Sequence, residues 1–403
     1  MQVGPPLTRP GSRRGRLAVR GGRRGGLAER ADSGARVAGV RRAPLGPSFV
    51  VRQAFIWPAL LVVLFVSVFP LFASLYISLS QLQLRRGGFS FKFIGLANFR
   101  DLLTGSEQSH FLGVMRPLNP FGWLFLLAGL ALLGWGLARA WRGGVPLAGL
   151  VPRALGALLA AAMLWLVAHT IFSHGGRPGT VVVTVVYVAV GVTLQFLLGL
   201  GLAQLLTMGL PGQRFFRVVF LLPMMITPVG VAYMFRMLTD TGKGPLAPLW
   251  SLVGLSNFSW VNSPWGARIA VMLGDLWQWT PFMFIVLLAA LESQDFETVE
   301  AAMVDGASRW QAFRYVTLPS IMPVALTVVL IRLIEAFKII DLPNVLTNGG
   351  PGTETESLSL HAYVRWRTLD LGESAAVAYS LLFIVTLVAV AYVSLLRRRF
   401  AED

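Results

Sequence analysis

The sequence predicts an all-α polytopic membrane protein, and three observations support this fold class. The 403-residue chain is 55% hydrophobic and only 13% charged, and its mean hydropathy is +0.65. A soluble protein of this size needs far more charge to cover its surface. Apolar runs of about 20 residues, enough to cross a hydrocarbon core of about 30 Å, recur along most of the chain.

The apolar runs predict eight membrane-spanning helices, at residues 54–80, 120–139, 150–172, 180–206, 215–239, 267–291, 320–341 and 375–396. Lysine and arginine are enriched in cytoplasmic connections, so their distribution predicts the orientation. With the N-terminus inside, the cytoplasmic segments hold 22 of these residues and the external segments hold 9. Both termini are therefore expected in the cytoplasm, although the external loop 81–119 is more basic than the rule prefers.

Residues 1–52 form a basic segment that we expect to be a disordered cytoplasmic tail. It carries twelve arginines against Glu29 and Asp32, among many glycines and prolines. Such a composition cannot bury enough apolar surface to offset the entropy lost on ordering. An orienting tail or an over-extended translation start explains it better than an arginine–glycine arm, so no nucleic-acid partner is predicted. No small-residue cleavage site follows the apolar run, which excludes a standard signal peptide.

Residues 105–179 differ in composition from the rest of the chain, because glycine, alanine, leucine and tryptophan dominate their two apolar runs. The run "GWLFLLAGLALLGWGLARAW" places small residues on one helical face, which allows close packing against another helix. We interpret this segment as a peripheral two-helix hairpin. It separates the first transmembrane helix with its external loop, 53–104, from a core domain, 180–403.

The stretch "EAAMVDGASRWQAFRYVTLP", residues 300–319, breaks the series of apolar runs. A short helix is predicted from Phe296 to Val304, with Asp295 as its N-cap. Gly306 then ends it, because glycine tolerates the positive φ of a helix terminus. "SRWQ" at 308–311 fits a capping box that starts a second short helix, and Pro319 suits the first turn of the next span.

The loop 292–319 carries five acidic residues and two arginines. An interfacial helix lying on lipid is the alternative explanation, but an anionic inner leaflet favours a basic polar face. The acidic face is better explained by a basic protein partner. We therefore predict a compact helix–turn–helix on the cytoplasmic side, which carries Trp310 and Phe313 toward an apolar surface.

The same stretch resembles a known family. Glu300-Ala301-Ala302, three further residues, Gly306, nine further residues and Val316-x-Leu318-Pro319 are similar to the EAA signature of permease subunits of binding-protein-dependent ABC importers. Segments such as "FIWPALLVVLFVSVFPLFASLYISL", "DLWQWTPFMFIVLLAAL" and "EAFKIIDLPNVLTNGGPGTETESLSLHAYV" resemble the carbohydrate-uptake branch. Over 50–104 and 180–400, the resemblance implies the type I permease fold, with a six-helix core plus two extra helices in 105–179.

The resemblance also implies partners and roles. The helix at 296–304 would be the coupling helix that sits in a groove of an ATPase subunit, with the coupling residues Glu300, Ala301, Ala302, Asp305 and Gly306. ATP and magnesium would bind the partner ATPase dimer and not this chain. A second permease subunit would complete the pore, and an extracytoplasmic solute-binding protein would deliver the substrate. The implied location is the inner membrane of a bacterium or archaeon.

The loop "TNGGPGTETESLS" at 347–359 is rich in turn-forming residues. It is either a plain external connection or, by the resemblance, a docking surface for the binding protein. The candidate docking residues are Asn348, Gly349, Gly350 and Pro351.

Ionisable groups inside the predicted spans indicate where a substrate could pass. Each costs roughly 2.5–3.5 kcal/mol on insertion scales, so it needs a partner or a wet cavity. Arg332, Glu335, Lys338 and Asp341 lie three residues apart and would form one stripe of the seventh helix. This stripe could pair internally, or it could face a hydrated path together with the sixth span. Polar and aromatic groups suit sugars, and the candidate path residues are Asp275, Trp277, Gln278, Trp279, Arg332, Glu335 and Lys338.

The sequence gives no sign of catalysis on this chain. No G-x-x-x-x-G-K-[ST] motif and no G-x-S-x-G motif occurs. The chain has no cysteine, which excludes disulfides and thiolate metal sites. Its four histidines, His110, His169, His174 and His361, are scattered without metal-ligand spacing, so no metal site is expected.

The leading hypothesis is a transport subunit that alternates access for a carbohydrate, driven by ATP-induced closure of the partner ATPase dimer. An ion-coupled secondary transporter is the alternative, and an intramembrane enzyme is a weaker third. Maltose-like oligosaccharides, trehalose, other glycosides and glycerol phosphate are all compatible substrates, and import rather than export follows only from the resemblance.

Overall fold

Long helices account for most of the computed structural model, which describes residues 56–85, 88–142, 147–209 and 211–396. The predicted basic tail, 1–52, lies outside the described residues. The chain divides into two units, Met1–Val62 and Val63–Asp403. The described residues of the first unit, 56–62, begin the first long helix, and all other described residues belong to the second unit.

The N-terminal half contains five numbered helices and four short strands. They are α1 (Ile56–Ser78, with a π-helical turn at Leu64–Val68), β1 (Ser80–Arg85), β2 (Gly88–Phe93), α2 (Ala97–Thr104), α3 (Gln108–Phe111), β3 (Gly113–Val114), α4 (Pro120–Arg142), α5 (Leu147–Ile171) and β4 (Arg177–Pro178). Strands β1 and β2 pair antiparallel, and so do β3 and β4.

The C-terminal half is helical. It contains α6 (Thr180–Thr207), α7 (Gln213–Met225), α8 (Pro228–Leu238), α9 (Ala247–Leu252), α10 (Pro264–Glu292), α11 (Phe296–Val304), α12 (Arg309–Ala312), α13 (Leu318–Ala336), α14 (Leu358–Arg367) and α15 (Leu371–Leu396). Two π-helical turns, Phe313–Thr317 and Pro343–Thr347, complete it.

Seven of these helices are long and apolar enough to cross a membrane, which confirms seven of the eight predicted spans. The predicted fifth span, 215–239, is present as a broken helix and not as one continuous helix. It consists of α7 and α8, which are bent by 97° relative to each other. Thr227 precedes Pro228 and is extended, with ψ of 146°. A residue before proline is sterically driven out of the helical region, which explains the break.

The centre of the bundle is the packing of α6 against α10. Within the apolar 18-residue stretch of each helix about half of the residues are buried, 50% in α6 and 56% in α10. Gly199 of α6 allows this approach, since a Cβ at this position would lie 2.9 Å from the backbone nitrogen of Phe284. Small residues at such crossings let two helix backbones come close together. Helices α7, α8 and α13 pack around α10.

Helices α4 and α5 form an antiparallel hairpin at the edge of the bundle, against α15 and the start of α6. Within the apolar 18-residue stretch of each helix only 11% of the residues of α4 and 17% of those of α5 are buried. Gly129 packs against Leu164, whereas Gly134 and Gly136 face open space. The chain enters and leaves the hairpin at one place, because β3 and β4 pair at its base.

The seventh span also differs from its prediction of 320–341. Helix α12 continues through the π-helical turn into α13, so one apolar helix runs from Arg309 to Ala336. The helix ends before Lys338 and Asp341, where the carbonyl of Ile339 instead accepts a hydrogen bond from Ser357 Oγ at 2.5 Å. The predicted four-residue helical stripe is therefore wrong beyond Glu335.

Candidate functional site

The loop 292–319, which we call the EAA loop, folds as its sequence predicts at both helix starts. Asp295 caps α11, and its Oδ1 accepts a hydrogen bond from the Glu297 backbone nitrogen at 3.1 Å. Gly306 has φ of +91°, a conformation that suits glycine. At Ser308 the capping box is formed, since Gln311 Oε1 accepts from the Ser308 nitrogen at 2.8 Å and Ser308 Oγ accepts from the Gln311 nitrogen at 3.3 Å.

The predicted helix–turn–helix is thus confirmed for its first helix and turn, but its second helix is the start of the seventh span. Through this continuity the EAA loop is attached directly to two long helices, α10 before it and α13 after it. At the start of the loop, Glu292 forms an ion pair with Arg217 of α7. A displacement of α11 would therefore act on three helices of the bundle.

The EAA loop exposes both acidic and apolar side chains. Of the five predicted coupling residues, Ala302 is half-buried and the others, Glu300, Ala301, Asp305 and Gly306, are exposed. Large apolar side chains are exposed beside them, namely Met303, Val304, Trp310 and Tyr315. Val304 is the most exposed of these, at 87%. Trp310, which was expected to face an apolar surface of the chain, is 66% exposed.

A groove of about 430 Å³ lies between α11 and α12, and Ala302, Asp305 and Gln311 contribute to its walls. Within the part of the chain that the structure describes, Glu300 has no ion-pair partner. Exposed apolar side chains around an unpaired acid form the kind of surface that a basic protein partner covers.

A second candidate region is a buried polar network at the centre of the bundle, formed by three of the predicted path residues and one that was missed. Arg332 Nη2 lies 2.5 Å from Asp275 Oδ2, and Arg332 Nε donates to Gln195 Oε1 at 2.8 Å. Gln195 Nε2 in turn donates to Asp275 Oδ2 at 2.8 Å. The Arg332 guanidinium lies 4.8 Å from the centre of the Trp279 ring.

Gln195 could have been found from the sequence. It is a polar residue in an otherwise apolar span, and such a residue needs a partner in the bundle. Its side chain is fully buried, and so is that of Arg332, at 1% exposure. The network links α6, α10 and α13, and its ionic and amide groups bond mainly to one another.

The remaining predicted path residues lie elsewhere. Trp277 faces Phe235 of α8, with ring centres 6.0 Å apart. Gln278 donates to the carbonyl of Ile226 at the bend between α7 and α8, at 3.3 Å. Glu335 and Lys338 form an exposed ion pair of 2.7 Å. The structure therefore brings Asp275, Trp279 and Arg332 together but does not bring the other four into the same network.

The predicted docking loop lies at the end of the bundle opposite the EAA loop. Asn348 is exposed and has φ of 51°, Gly349 is buried, and Gly350 and Pro351 are half-buried. The loop is fixed to the bundle by Arg268 of α10, which pairs with the Glu354 carboxylate and donates from Nε to the Glu354 carbonyl at 2.8 Å.

Two histidines also meet at this end, so the expectation that all four are scattered is wrong. The rings of His110 and His361 have centres 4.1 Å apart. Burial lowers the pKa of His110, but the hydrogen bond to Glu356 and the charges of Glu356 and Glu107 outweigh it, so the pKa is raised. Burial and the charge of His110 lower the pKa of His361 to about 3, so this imidazole is neutral at pH 7.

The C-terminal half of the chain matches a known protein family. Residues 195–402 match the family model described as binding-protein-dependent transport system inner membrane component. This range contains the EAA loop, the buried network and the predicted docking loop, and it does not contain α4 and α5.

The chain is similar to named transport proteins over about half of its length. It is 34% identical to the trehalose/maltose transport system permease protein MalF of Thermococcus litoralis, over 55% of this chain and 74% of that protein. It is 31% identical to the trehalose transport system permease protein SugA of Mycobacterium tuberculosis, over 56% and 72%. A crystal structure of a bacterial ABC transporter that imports alginate has the same fold, with a TM-score of 0.50, 23% identity and coverage of 54% of this chain and 78% of that one.

Proposed function

The chain belongs to the family of binding-protein-dependent transport system inner membrane components, and from this premise we propose that it is the transmembrane subunit of an ATP-driven sugar importer. It is accordingly a multi-pass inner-membrane protein, with seven apolar membrane-length helices among the described residues. We propose that it carries a sugar or sugar-like solute, which an extracytoplasmic binding protein delivers. The trehalose and maltose named in its relatives' descriptions make these two disaccharides the first candidates.

The observation that carries the proposal is the geometry of the EAA loop. Glu300 is exposed, lacks an ion-pair partner within the described ranges, and stands beside exposed Met303 and Val304. The helix that bears it is joined at both ends to membrane-length helices. We propose that α11 sits in a groove of the partner ATPase, with a basic residue of that subunit opposite Glu300. The predicted coupling residues, Glu300, Ala301, Ala302, Asp305 and Gly306, would form this contact.

In this arrangement ATP and magnesium bind the partner ATPase dimer, and closure of the dimer moves α11. Glu292, at the end of α10, and Arg217 of α7 would transmit the movement, since their ion pair joins the loop to a third helix. Both termini and the EAA loop would face the cytoplasm, as the lysine and arginine distribution predicts. The docking residues Asn348, Gly349, Gly350 and Pro351 would then face the extracytoplasmic side.

We further propose that the sugar passes along the side of α10 and α13 that carries the candidate path residues. Trp277 is exposed and Glu335 is half-buried within this single chain, and a second permease subunit would cover such surfaces. Aromatic faces and carboxylates are the groups that bind sugar faces and hydroxyls. Asp275 and Arg332 satisfy each other, so their proposed role is to hold α6, α10 and α13 in register beside the path. An ion-coupled secondary transporter has no specific observation in its favour.

Reconstitution of the complete transporter tests the proposal. The full chain, a second permease and an ATPase are co-expressed, placed in liposomes and supplied with the binding protein and labelled trehalose or maltose. We expect uptake only when ATP and magnesium are present on the side of the membrane where the ATPase lies. The matched control replaces the ATPase by a variant that binds but does not hydrolyse ATP, and liposomes with this variant should show no sugar uptake. Uptake driven by an ion gradient without ATP would refute the proposal.

A further inference from the structure

A buried cluster of ionisable groups lies at the end of the bundle opposite the EAA loop and has no part in the proposed transport mechanism. It forms where α3, the end of the docking loop, α14 and the start of α15 meet. Its members, which we call the histidine cluster, are Glu107, His110, Glu356, His361, Arg365 and Glu373.

The donor atoms of three cluster members are already close to one another. One ligand atom each from Glu107, His110 and His361 lies within 4.8 Å of the other two. The His110 ring lies between two carboxylates, with Nε2 at 3.0 Å from Glu356 Oε2 and Nδ1 at 3.6 Å from Glu107 Oε2. Donor atoms around a tetrahedral zinc ion lie about 3.3 Å apart. Side-chain rotations alone would bring the three donor atoms to that spacing.

Carboxylates outnumber guanidinium groups in the cluster. Glu107, Glu356 and Glu373 supply three carboxylates, while Arg365 supplies one guanidinium, which pairs with Glu107 and with Glu373 at 2.9 Å. Glu356 is 5% exposed, and its Oε1 is buried without a hydrogen-bond partner among the described residues. A buried oxygen of this kind needs a further partner, such as a water molecule held by an ion in the cluster.

The histidines are suited to supply the ligands. Thr180 Oγ1 lies 3.3 Å from Nδ1 of His361 and orients that ring. The other ring nitrogen, Nε2, lies 3.4 Å from Glu373 Oε1 and 3.5 Å from Arg365 Nε. A hydrogen bond that fixes one imidazole nitrogen while the other binds the ion is typical of histidine metal ligands.

We propose that Glu107, His110 and His361 bind a divalent transition-metal ion, with a water molecule as the fourth ligand. Glu356 would accept a hydrogen bond from the other ring nitrogen of His110, where it lies now. Two imidazoles and one carboxylate favour Zn²⁺ over the hard ions Mg²⁺ and Ca²⁺, which prefer all-oxygen sites. On binding, Arg365 keeps Glu373 while its contacts with Glu107 and His361 are released. The bound ion joins α3 and α14, and Glu356 links it to the docking loop, so it stabilises the shape of the docking surface.

Metal analysis of the full chain with its co-purified partners tests the proposal. The complex is stripped with a chelator, dialysed against Zn²⁺ and excess Mg²⁺, and measured by mass spectrometry of the metal content. We expect about one zinc per chain, and Co²⁺ in its place should give the visible absorption of a four-coordinate site.

The substitutions Glu107→Gln and His110→Gln should weaken zinc binding at least tenfold. His174→Gln is the matched control, because His174 is exposed and lies outside the cluster, and it should bind zinc as the natural chain does. Size-exclusion profiles and thermal unfolding without metal identify any variant that fails to fold. In that case the natural chain alone tests the proposal, because bound zinc should raise its unfolding temperature. No bound zinc, or equal binding in all three variants, would overturn the proposal.

Discussion

The buried polar network and the EAA loop both place charges in a largely apolar chain, but they satisfy them in opposite ways. Asp275, Arg332 and Gln195 bond to one another inside the bundle at 2.5 to 2.8 Å. Glu300 is exposed, and no ion pair reaches it from the described parts of the chain. Its neighbour Asp305 is also exposed.

This difference separates charges that stabilise the fold from charges that are available to a partner. A buried ionic group without its partner costs several kcal/mol, so the network has to be complete within the chain. An exposed carboxylate is hydrated and costs the fold little. We therefore infer that changes in the network affect stability first, whereas changes in the EAA loop affect transport first.

The largest effect is expected for Glu300→Lys. It reverses the charge that is proposed to face a basic residue of the ATPase, so ATP-driven uptake in liposomes should fall at least a hundredfold, which corresponds to about 2.7 kcal/mol. The thermal unfolding of the isolated chain should not change, because the side chain is exposed. Asp101→Lys, a charge reversal at the opposite end, is the control and should transport normally. Normal uptake by Glu300→Lys would remove the basis for the proposed coupling.

The next effect is expected for Arg332→Met, which removes the charged partner of the Asp275 carboxylate and the donor to the Gln195 side-chain carbonyl. The free energy of unfolding should fall by about 3–5 kcal/mol, as measured by denaturation in detergent. Adding Asp275→Leu removes the orphaned charge and should restore most of that loss. Arg236→Met, at a more exposed arginine that donates to the Val345 carbonyl, should change stability far less. A double variant no more stable than Arg332→Met would contradict this account.

Local signals in the sequence were sufficient to predict much of the fold. Seven membrane helices, the Asp295 cap, the Gly306 turn and the Ser308 capping box depend on neighbouring residues and on hydrophobic period, and all are present. The bend at Thr227–Pro228 was readable by the same local rule but was missed, because the apolar composition continues through it.

The composition of the clusters could not be predicted, because it depends on contacts between distant segments. Gln195 and Arg332 are 137 residues apart, and His110 and Glu356 are 246 apart. The spacing of Arg332, Glu335, Lys338 and Asp341 suggested one stripe, but the helix ends at Ala336. Sequence indicated which residues need partners, and only packing decided which partners they have.

A smaller effect is expected within the EAA loop itself for Ser308→Ala. Loss of the capping box should cost about 1 kcal/mol of local helix stability. Amide hydrogen exchange of residues 308–312 should then become about fivefold faster, while global unfolding stays the same. Ser320→Ala is the matched control, since its hydroxyl bonds to the Thr317 carbonyl within the helix and caps nothing. Unchanged exchange in Ser308→Ala would mean that the continuous helix into α13 alone fixes this end of the loop.

The smallest effect is expected for the exposed pair of Glu335 and Lys338. Their charges lie 2.7 Å apart, but the two side chains are 40% and 58% exposed, so solvent screens the attraction. A double-mutant cycle with Glu335→Gln and Lys338→Gln should give a coupling of at most about 1 kcal/mol in the isolated chain. The same double-mutant cycle in the assembled complex tests whether a partner subunit covers the pair. A coupling well above that value there would show that a partner subunit buries the pair, and an unchanged value would place it in water, where it can face a hydrated path.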